Sequence, residues 1–437
     1  MIRGIVQLCR ISRLCGSSLK IQLVLGLSLL LSLDGLRGEG FRNSPPGTFG
    51  LGRAGGRIAH VDDASAVTHN PANLVDLASA ELQLAPSIIY IHEDYESVNG
   101  QRAESKEPWK FLPNLFASTP LDGGKIALGL GVTTPYGLGN EWDLNSSAFQ
   151  TGGAWRYTAA YSAELMTMNF NPALALKVTE ELRIGAGVDV MWSKLTLKQL
   201  YPWFLVTQNP TSPDGEMEAS GDGTGIGANL GVTYEIAKRH RLALTWRTPV
   251  QVDYKGDFDL SNVPPAFGGG SIDSSFGSSI KFPTIISAGY GVKLTDKIRL
   301  EADVEWLQFS NFEDLPISVP VGPQLGLPAS INQDWKDTWT FGIAGDWEFA
   351  TNWTLRLGYQ FYQSPVPDST FSPTIPDADQ NVITFGLCYR TGHHAFEAAY
   401  GLDFYDVREI STAQQPAFNG KYEFTVHLFS LGYRYRF

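Results

Sequence analysis

The sequence predicts an all-β protein, a transmembrane barrel of 14 antiparallel strands with a plug of short helices inside it. Three observations support this fold class. Apolar and polar residues alternate along most of the chain after about residue 80, short and long connections follow one another in turn, and the last alternating segment ends on an aromatic residue, Phe437. A period of two gives a strand one apolar and one polar face, whereas in a helix the same period would scatter the apolar residues around the axis.

The composition excludes several classes of protein. The 437 residues are 18% charged, too few charges for a disordered chain, and 45 Asp and Glu against 33 Lys and Arg argue against nucleic acid as a partner. Cys9 and Cys15 lie in a predicted leader, so the mature chain keeps only Cys388. We therefore expect no internal disulfide, no metal centre and no cofactor.

Residues 1–40 are predicted to be a secretory signal peptide. Basic residues precede an apolar run from Ile21 to Leu33, and small residues follow it as far as Gly40. That run is shorter than the roughly 20 residues that a membrane-spanning helix needs. An N-terminal anchor helix is the alternative.

Alternation locates the barrel strands. Between Ile298 and Trp306 every even position is apolar and every odd position is charged. The predicted strands span 81–93, 108–118, 124–134, 160–177, 181–199, 225–236, 241–256, 280–292, 298–310, 337–348, 352–362, 380–390, 394–404 and 423–437. Short turns such as 350–351 alternate with long loops such as 200–224 and 311–336, as periplasmic turns and extracellular loops do in outer-membrane barrels.

The last segment indicates where the chain goes. Phe429, Leu431, Tyr433, Tyr435 and Phe437 occupy alternate positions up to the carboxyl terminus. This pattern resembles the signal by which bacterial barrels are recognised for assembly. We therefore expect the bacterial outer membrane as the location, outer-membrane lipid and the barrel-assembly machinery as partners, and a monomer. The last strand of a secreted sandwich is the alternative.

Residues 41–80 do not alternate and are predicted to form a plug, or hatch. Some 40 Gly- and Ala-rich residues are too few to bury a core of their own, and a barrel of this circumference has an interior that its wall side chains do not fill. A loose periplasmic tail is the alternative. Asn70 and Pro71 are also compatible with the simple start of a short helix.

Three motifs in this segment carry a family resemblance. Gly-Arg-Ala-Gly at 52–55, Asp-Asp-Ala at 62–64 and Asn-Pro-Ala at 70–72 stand in this order before the first strand, and a stretch at 352–379 ends in Ile-Pro-Asp-Ala-Asp. They resemble the FadL and TodX family, whose members carry long-chain fatty acids or aromatic hydrocarbons across the outer membrane. The resemblance covers the mature chain and implies a hatch at 41–80 inside a barrel at 81–437. The hatch residues that it singles out are Phe41, Gly52, Arg53, Gly55, Asp62, Asp63, Asn70, Pro71 and Ala72.

The resemblance also implies a route: capture among the loops, transfer to an apolar site in the lumen and exit through the wall. The candidate lateral gate is Gly131, Pro135, Tyr136 and Gly137 in the third strand. Proline removes a hydrogen bond from a sheet and glycine removes side-chain packing, so this strand is a place for the wall kink of the family. The alternative is that Pro135 only ends the strand.

The candidate ligand-binding residues are Lys198, Gln199, Trp203, Phe204 and Phe309. Further loop aromatics are candidates for the pocket lining or for the membrane girdle: Trp142, Phe149, Trp155, Phe267 and Phe276. Fatty-acid members of the family meet the carboxylate with basic residues in the lumen. The matching positions here are Gln199, with Lys198 beside it, and Pro316, which favours a neutral hydrocarbon or aromatic cargo.

The function that we predict is passive passage of hydrophobic molecules across the outer membrane, by a protein that is not an enzyme. A general diffusion porin for small polar solutes is the main alternative, and residues 41–80 discriminate, since the charged side chains from Arg299 to Glu305 would line a wet lumen in either protein. A membrane phospholipase would need a serine and histidine pair, whereas the seven histidines are scattered and no Gly-x-Ser-x-Gly motif occurs. An adhesin would leave hydrophobic uptake independent of the gene.

Overall fold

The computed structural model describes residues 39–437. Residues 1–38, most of the predicted signal peptide, lie outside the described residues. Within 39–437, no helix is both long and apolar enough to cross a membrane.

Fourteen antiparallel strands form a single closed barrel, which confirms the predicted fold class. Several strands are interrupted and consist of two or three segments. The strands are β1 (Glu81–Leu84 and Ser87–Ser97), β2 (Arg102–Glu104, Trp109–Leu112 and Leu115–Leu121), β3 (Ile126–Thr133 and Gly137–Glu141), β4 (Ser162–Lys177), β5 (Leu182–Tyr201), β6 (Gly215–Ala237), β7 (His240–Arg247 and Val250–Leu260), β8 (Ile272–Phe282 and Ile285–Lys293), β9 (Ile298–Leu307), β10 (Thr338–Ala350), β11 (Trp353–Tyr362), β12 (Gln380–Thr391), β13 (His394–Tyr405 and Arg408–Ile410) and β14 (Gly420–Arg436).

The barrel closes where β14 pairs with β1, with Arg436 opposite Glu81 and Ser430 opposite Ser87. Two predicted strand starts were too late by ten and eight residues. β6 begins at Gly215 instead of 225, and β8 begins at Ile272 instead of 280. These extensions are rich in Gly, Ser and Asp and pair with β7, so their backbone hydrogen bonds hold them without the apolar face that alternation detects.

The alternation sets the two faces of the wall as predicted. In β1, Leu82 and Leu84 are exposed on the outer surface, while Glu81 and Gln83 between them are buried. The charged residues of β9 do point inward, but they do not line a wet lumen. Glu301, Asp303 and Glu305 are each at most 5% exposed, because the hatch lies against them.

The hatch fills the lumen with short elements: α1 (Gly47–Gly52), α2 (Ala66–His69) and a 3-10 helix (Pro71–Asp76). The capping of the 3-10 helix follows from its sequence, since Asn70 accepts a hydrogen bond from the amide of Ala72 (3.0 Å) and Pro71 fits the first helical position. One side of the hatch buries apolar residues such as Phe49 and Val67 against β2, β3 and β4. Such burial substitutes for the core that the segment is too short to make by itself.

Short helices also occur in the loops. They are α3 (Trp203–Thr207) and α4 (Gly322–Leu325), with 3-10 turns at Asp122–Gly124, Pro265–Phe267, Phe309–Asn311, Asp368–Thr370 and Pro416–Phe418. α4 lies within the loop between β9 and β10, between the two strands of a small hairpin, Asp314–Pro316 and Ser330–Asn332. This loop and the 363–379 loop supply part of the cavity described below.

Candidate functional site

The chain inside the barrel divides into two parts, which we call the strap (residues 39–46) and the hatch body (residues 47–80). The strap adds Glu39 and Gly40, the last two residues of the predicted signal peptide, to the predicted hatch. Buried ion pairs hold the hatch body to the wall. Arg53 is fully buried, and its guanidinium contacts Glu301 at 3.1 Å and Asp346 at 2.9 Å. Glu301 also accepts the backbone amides of Ile58 (2.7 Å) and Ala59 (2.6 Å). Ion pairs and hydrogen bonds to β9 and β10 therefore hold the hatch body on one side of the barrel.

Asp62 and Asp63 are adjacent but have different environments. Asp62 lies 2.9 Å from Arg299, and although burial opposes its ionisation, the surrounding guanidinium groups hold its pKa well below the usual value. Asp63 accepts the backbone amide of Ser65 at 3.0 Å, and burial raises its pKa. Asp62 thus serves as an ionic anchor, and Asp63 shapes the turn before α2.

Close backbone approach explains the hatch glycines. A Cβ on Gly55, which has φ of +91°, would lie 2.2 Å from the carbonyl oxygen of Tyr359 in β11. A Cβ on Gly52 would lie 3.2 Å from the Cα of Gly386 in β12. Asn70 donates to the Thr233 hydroxyl of β6 at 2.9 Å. The hatch motifs therefore fit the hatch body against opposite walls.

The strap is held by aromatic rings. Phe41 is 2% exposed. Its ring centroid lies 5.0 Å from that of Trp335 and 5.6–5.9 Å from those of Tyr136, Phe282, Phe309 and Phe312. Phe309, predicted to bind ligand, is thus part of the cage around Phe41.

The four candidate gate residues lie at an interruption of β3. Thr134, Pro135 and Tyr136 separate the two segments of β3 and turn toward the strap, where the amide of Asn43 donates to the Pro135 carbonyl at 3.0 Å. Gly137 donates its amide to the Phe41 carbonyl at 2.9 Å. Gly131 lies before the kink, where a Cβ would come 2.9 Å from Val67 of the hatch body. The proline therefore does not end the strand, which resumes at Gly137.

The kink leaves a gap in the wall. Gly137–Glu141 pairs with β4 on one side, and Trp109–Leu112 of β2 pairs with β1 on its far side. Within residues 39–437, no strand pairing joins these two segments to each other. A cavity of about 440 Å³, which we call the side passage, is lined by both segments and by the strap.

A second cavity of about 500 Å³, the upper cavity, lies on the other side of Phe41. Its lining is mainly apolar and includes Leu195, Phe258, Phe312, Phe371 and Phe418. Sequence reasoning missed the four phenylalanines of this list. Phe258 was detectable as an inward position of an extended β7, whereas the others lie in loops whose placement has no periodic signal.

Only two of the five predicted ligand-binding residues line this cavity, Lys198 and Gln199. Lys198 contacts Glu218 at 3.0 Å, and the Gln199 amide donates to the carbonyl of Tyr157 at 2.8 Å. Trp203, Phe204 and Phe309 do not belong to its lining.

Trp203 and Phe204 pack against other residues of the loops and strand ends. In α3, Trp203 packs between Tyr201 and Phe267, and the next residue, Phe204, packs on Tyr157. The other aromatic candidates also lie outside the upper-cavity lining: Trp142, Phe149, Trp155, Phe267 and Phe276. Trp142, Phe149 and Trp155 form a buried ring cluster in the loop after β3, and Phe267 is half exposed. Pro316 lies in the loop hairpin and is not part of the lining either.

Comparison with known proteins agrees with this architecture. The model of the family described as "Outer membrane protein transport protein (OMPP1/FadL/TodX)" matches residues 39–437. A long-chain fatty acid transport protein of Salmonella typhi is 26% identical over 379 residues, which cover 80% of this chain and 83% of the relative.

Solved structures show the same fold. A FadL homologue of Pseudomonas aeruginosa superimposes with a TM-score of 0.77 at 21% identity, covering 91% of this chain and 100% of the other. The toluene transporter TodX of P. putida gives a TM-score of 0.74 at 18% identity, with 90% and 99% covered. Because the family match extends over all the described residues, this chain belongs to the outer-membrane transport family of FadL and TodX.

Proposed function

We propose that this protein passes hydrophobic molecules across the outer membrane by diffusion, and that they leave the barrel sideways. The observation that carries the proposal is the unpaired wall segment between Trp109–Leu112 and Gly137–Glu141, which opens on a cavity inside the barrel. Trp109, Phe111 and Met166 are exposed apolar residues beside this gap. A cargo that leaves here enters lipid instead of water.

The two cavities adjoin. Leu138 and Leu165 line both of them, and Phe41 lines the upper cavity while its neighbours Gly40 and Arg42 line the side passage. The strap thus stands between a loop-side cavity and a wall-side passage. Movement of the strap would join the two into one route.

The nature of the cavities favours hydrophobic cargo over polar solutes. Each methylene that leaves water for an apolar lining gains about 0.8 kcal/mol, whereas a polar solute gains nothing there. The hatch body fills the lumen that a diffusion porin keeps open, so the porin alternative finds no support.

The pairing of Lys198 bears on the choice of cargo. Its ammonium contacts the Glu218 carboxylate at 3.0 Å, and the amide of neighbouring Gln199 is held by a backbone carbonyl. A fatty-acid carboxylate in the upper cavity would have to compete with Glu218 for Lys198. We therefore propose a neutral hydrocarbon or aromatic cargo in preference to an ionised fatty acid. Assembly by the barrel-assembly machinery and a monomeric state remain predictions.

Uptake by cells tests the transport role. Cells that carry the intact gene, the gene without codons 41–80 or no gene would be given labelled toluene, alkane and oleate. We expect gene-dependent uptake of toluene and alkane that exceeds that of oleate. Equal uptake in all three strains would refute transport and would favour an adhesin.

A reversible block of the wall gap tests the lateral exit. A Cβ on Gly139 would lie 2.8 Å from the Lys110 side chain, so a short reducible thiol cross-linker can bridge K110C and G139C. We expect cross-linking to stop uptake and reduction to restore it. The control is L242C with Y290C, which are directly opposite each other in a fully paired part of the wall. Unchanged uptake with the bridged gap would exclude this exit.

A further inference from the structure

The charged residues that line the side passage are mostly of one sign. Its acidic residues are Glu39, Glu93, Glu107, Glu164, Asp377 and Asp403, and its basic residues are Arg42 and Lys110. Arg42 is already engaged, since it contacts Glu39 at 2.9 Å and Glu305 of β9 at 2.7 Å. The lining therefore holds six carboxyl groups and only two basic groups, one of which, Arg42, is already paired.

Two of the carboxyl groups are buried with one oxygen of each left without a hydrogen-bond partner. Glu93 is 8% exposed and Asp403 is 6% exposed. Among the residues that the structure describes, Oε2 of Glu93 and Oδ1 of Asp403 have no hydrogen-bond donor, and neither side chain has an ion pair within 4 Å. Lys110 is near enough for its charge to act on Glu93, but it is not paired with it. Burying a carboxylate in this way is costly unless a cation or donor meets it.

Asp377 adds charge at the same place. Its Oδ2 accepts the Gly40 amide at 2.9 Å and the Ser364 hydroxyl at 2.5 Å, while the guanidinium of Arg408, which donates to the Asp377 backbone carbonyl at 2.8 Å, offsets part of its charge. Asp403 and Glu93 both lie within electrostatic range of Asp377. Three carboxylates on the strand walls and a loop thus face one cavity.

The spacing of these groups favours an organic cation over a metal ion. In residues 39–437, the single group of three side chains whose ligand atoms lie within 4.8 Å of one another is His92, Asp94 and Glu104, and Asp94 and Glu104 of that group are exposed. The passage carboxylates are therefore too far apart to coordinate one ion. An ammonium group can hydrogen-bond to separate carboxylates and can also be attracted by the faces of aromatic rings such as those of Tyr405 and Phe424, which line the passage.

We propose that the side passage binds the ammonium end of an amphiphilic amine and rejects a carboxylate of the same chain length. The inference rests on the proposed function, because it adds amphiphilic amines to the neutral cargo that is proposed for the same exit. The apolar part of the amine lies among Ile91, Leu138 and Met166, which open toward the wall gap. Glu93 and Asp403 are the specificity-determining residues.

Equilibrium binding to the full chain in a nonionic detergent tests this proposal. The probes are radiolabelled dodecylamine, dodecanol and dodecanoate at pH 7, which share one chain and differ in head-group charge. We expect dodecylamine to bind about tenfold more tightly than dodecanol, and dodecanoate to bind more weakly than either. In the double variant E93Q/D403N, we expect amine affinity to fall to that of dodecanol, dodecanol affinity to stay the same, and dodecanoate affinity to rise.

The matched control is D94N, since Asp94 follows Glu93 in β1 and points to the outer surface. It should leave all three affinities unchanged, and an unaltered unfolding temperature shows that each variant is folded. Equal binding of amine and alcohol by the wild type, or an amine preference that survives in E93Q/D403N, overturns the proposal. If the amine preference fails in one of these two ways but dodecanol is still bound and taken up, only this inference fails. If no probe is bound or taken up, the proposed function fails as well.

Discussion

The hatch body and the strap are continuous in sequence but are attached to the barrel by different interactions. The hatch body is held by ion pairs without access to water, such as Arg53 with Glu301 and Asp346, and by backbone contacts closer than any side chain would permit. The strap is held by the rings around Phe41 and by backbone hydrogen bonds to the kinked part of β3. Buried ion pairs are costly to break, whereas ring contacts can be exchanged for contacts with an apolar ligand.

The difference assigns separate tasks to the two parts. We propose that the hatch body keeps the lumen closed, while the strap stands between the two cavities. A molecule that enters the upper cavity meets the Phe41 ring, and it can replace the contacts that this ring makes. On this proposal, transport requires movement of the strap alone, while the barrier to polar solutes stays in place.

Breaking the anchor of the hatch body should have the largest effect. Arg53→Met leaves Glu301 and Asp346 buried with less compensating charge, so we expect a loss of about 3–5 kcal/mol in the free energy of unfolding. Denaturant unfolding of the detergent-solubilised protein measures it. Arg239→Ala is the control, because Arg239 pairs with the exposed Asp296 in a turn and its removal should cost under about 1 kcal/mol. Equal losses in the two variants would show that the buried network is not an anchor.

Gly55→Ala should have the next largest effect. The added methyl would lie 2.2 Å from the Tyr359 oxygen at a residue with φ of +91°, so strain and overlap add. Gly152→Ala is the matched control, since Gly152 has φ of +85° and nothing within 4 Å of the new atom. We expect Gly55→Ala to cost about 1–3 kcal/mol more than Gly152→Ala in the same unfolding experiment. A difference near zero would mean that the hatch body shifts freely in the lumen.

Changing Phe41 should loosen the strap and spare the hatch body. Phe41→Leu removes the ring contacts, which are worth about 0.5–1.5 kcal/mol, and keeps an apolar side chain. A nitroxide on Ser44→Cys should report a larger mobile fraction, while the unfolding free energy of the barrel stays the same. Phe204→Leu is the control because Phe204 packs on Tyr157 and is not one of the rings around Phe41. A parallel fall in barrel stability would contradict the division into two parts.

Whether the sequence predicts the position of a residue depends on whether that residue lies in a strand with a regular alternation of apolar and polar residues. Alternation located every strand of the barrel, and it gave the inward orientation of Glu301 and Asp303 correctly. It could not show that these carboxylates are covered, because a charge that faces water and a charge that faces Arg53 have the same pattern in one strand. The carboxylates are covered because the hatch body lies against β9, and these two segments are some 250 residues apart in sequence.

The hatch motifs were found through resemblance, and the lining of the upper cavity was mostly not found. Lys198 and Gln199 were also found through the resemblance, as the positions that match the basic lumen residues of the family. Phe312, Phe371 and Phe418 come from three separate loops and meet only because the barrel brings these loops together. Trp203 and Phe204 are as aromatic as these residues, but they pack within their own part of the loops. Composition alone does not tell the two groups apart.

The pH dependence of the strap should be the smallest effect and the finest test of its independence. Burial raises the pKa of Glu39 from 4.5 to about 7, although Arg42 partly offsets the burial, and burial likewise raises the pKa of Asp377 from 3.8 to about 6. A carboxyl with a higher pKa in the docked state takes up a proton on docking, so docking is strongest below the pKa of the released state and weakens as the pH rises through the docked value. We therefore expect the mobile fraction of a nitroxide on Ser44→Cys to increase between pH 4.5 and 7.5, and the increase to shrink in Glu39→Gln.

A nitroxide on Val98→Cys, at a residue 85% exposed in the turn after β1, should give the same spectrum throughout. If the unfolding of the hatch body followed the same pH curve as the Ser44 probe, the strap and the hatch body would move as one unit, and the route past Phe41 would require the whole plug to leave.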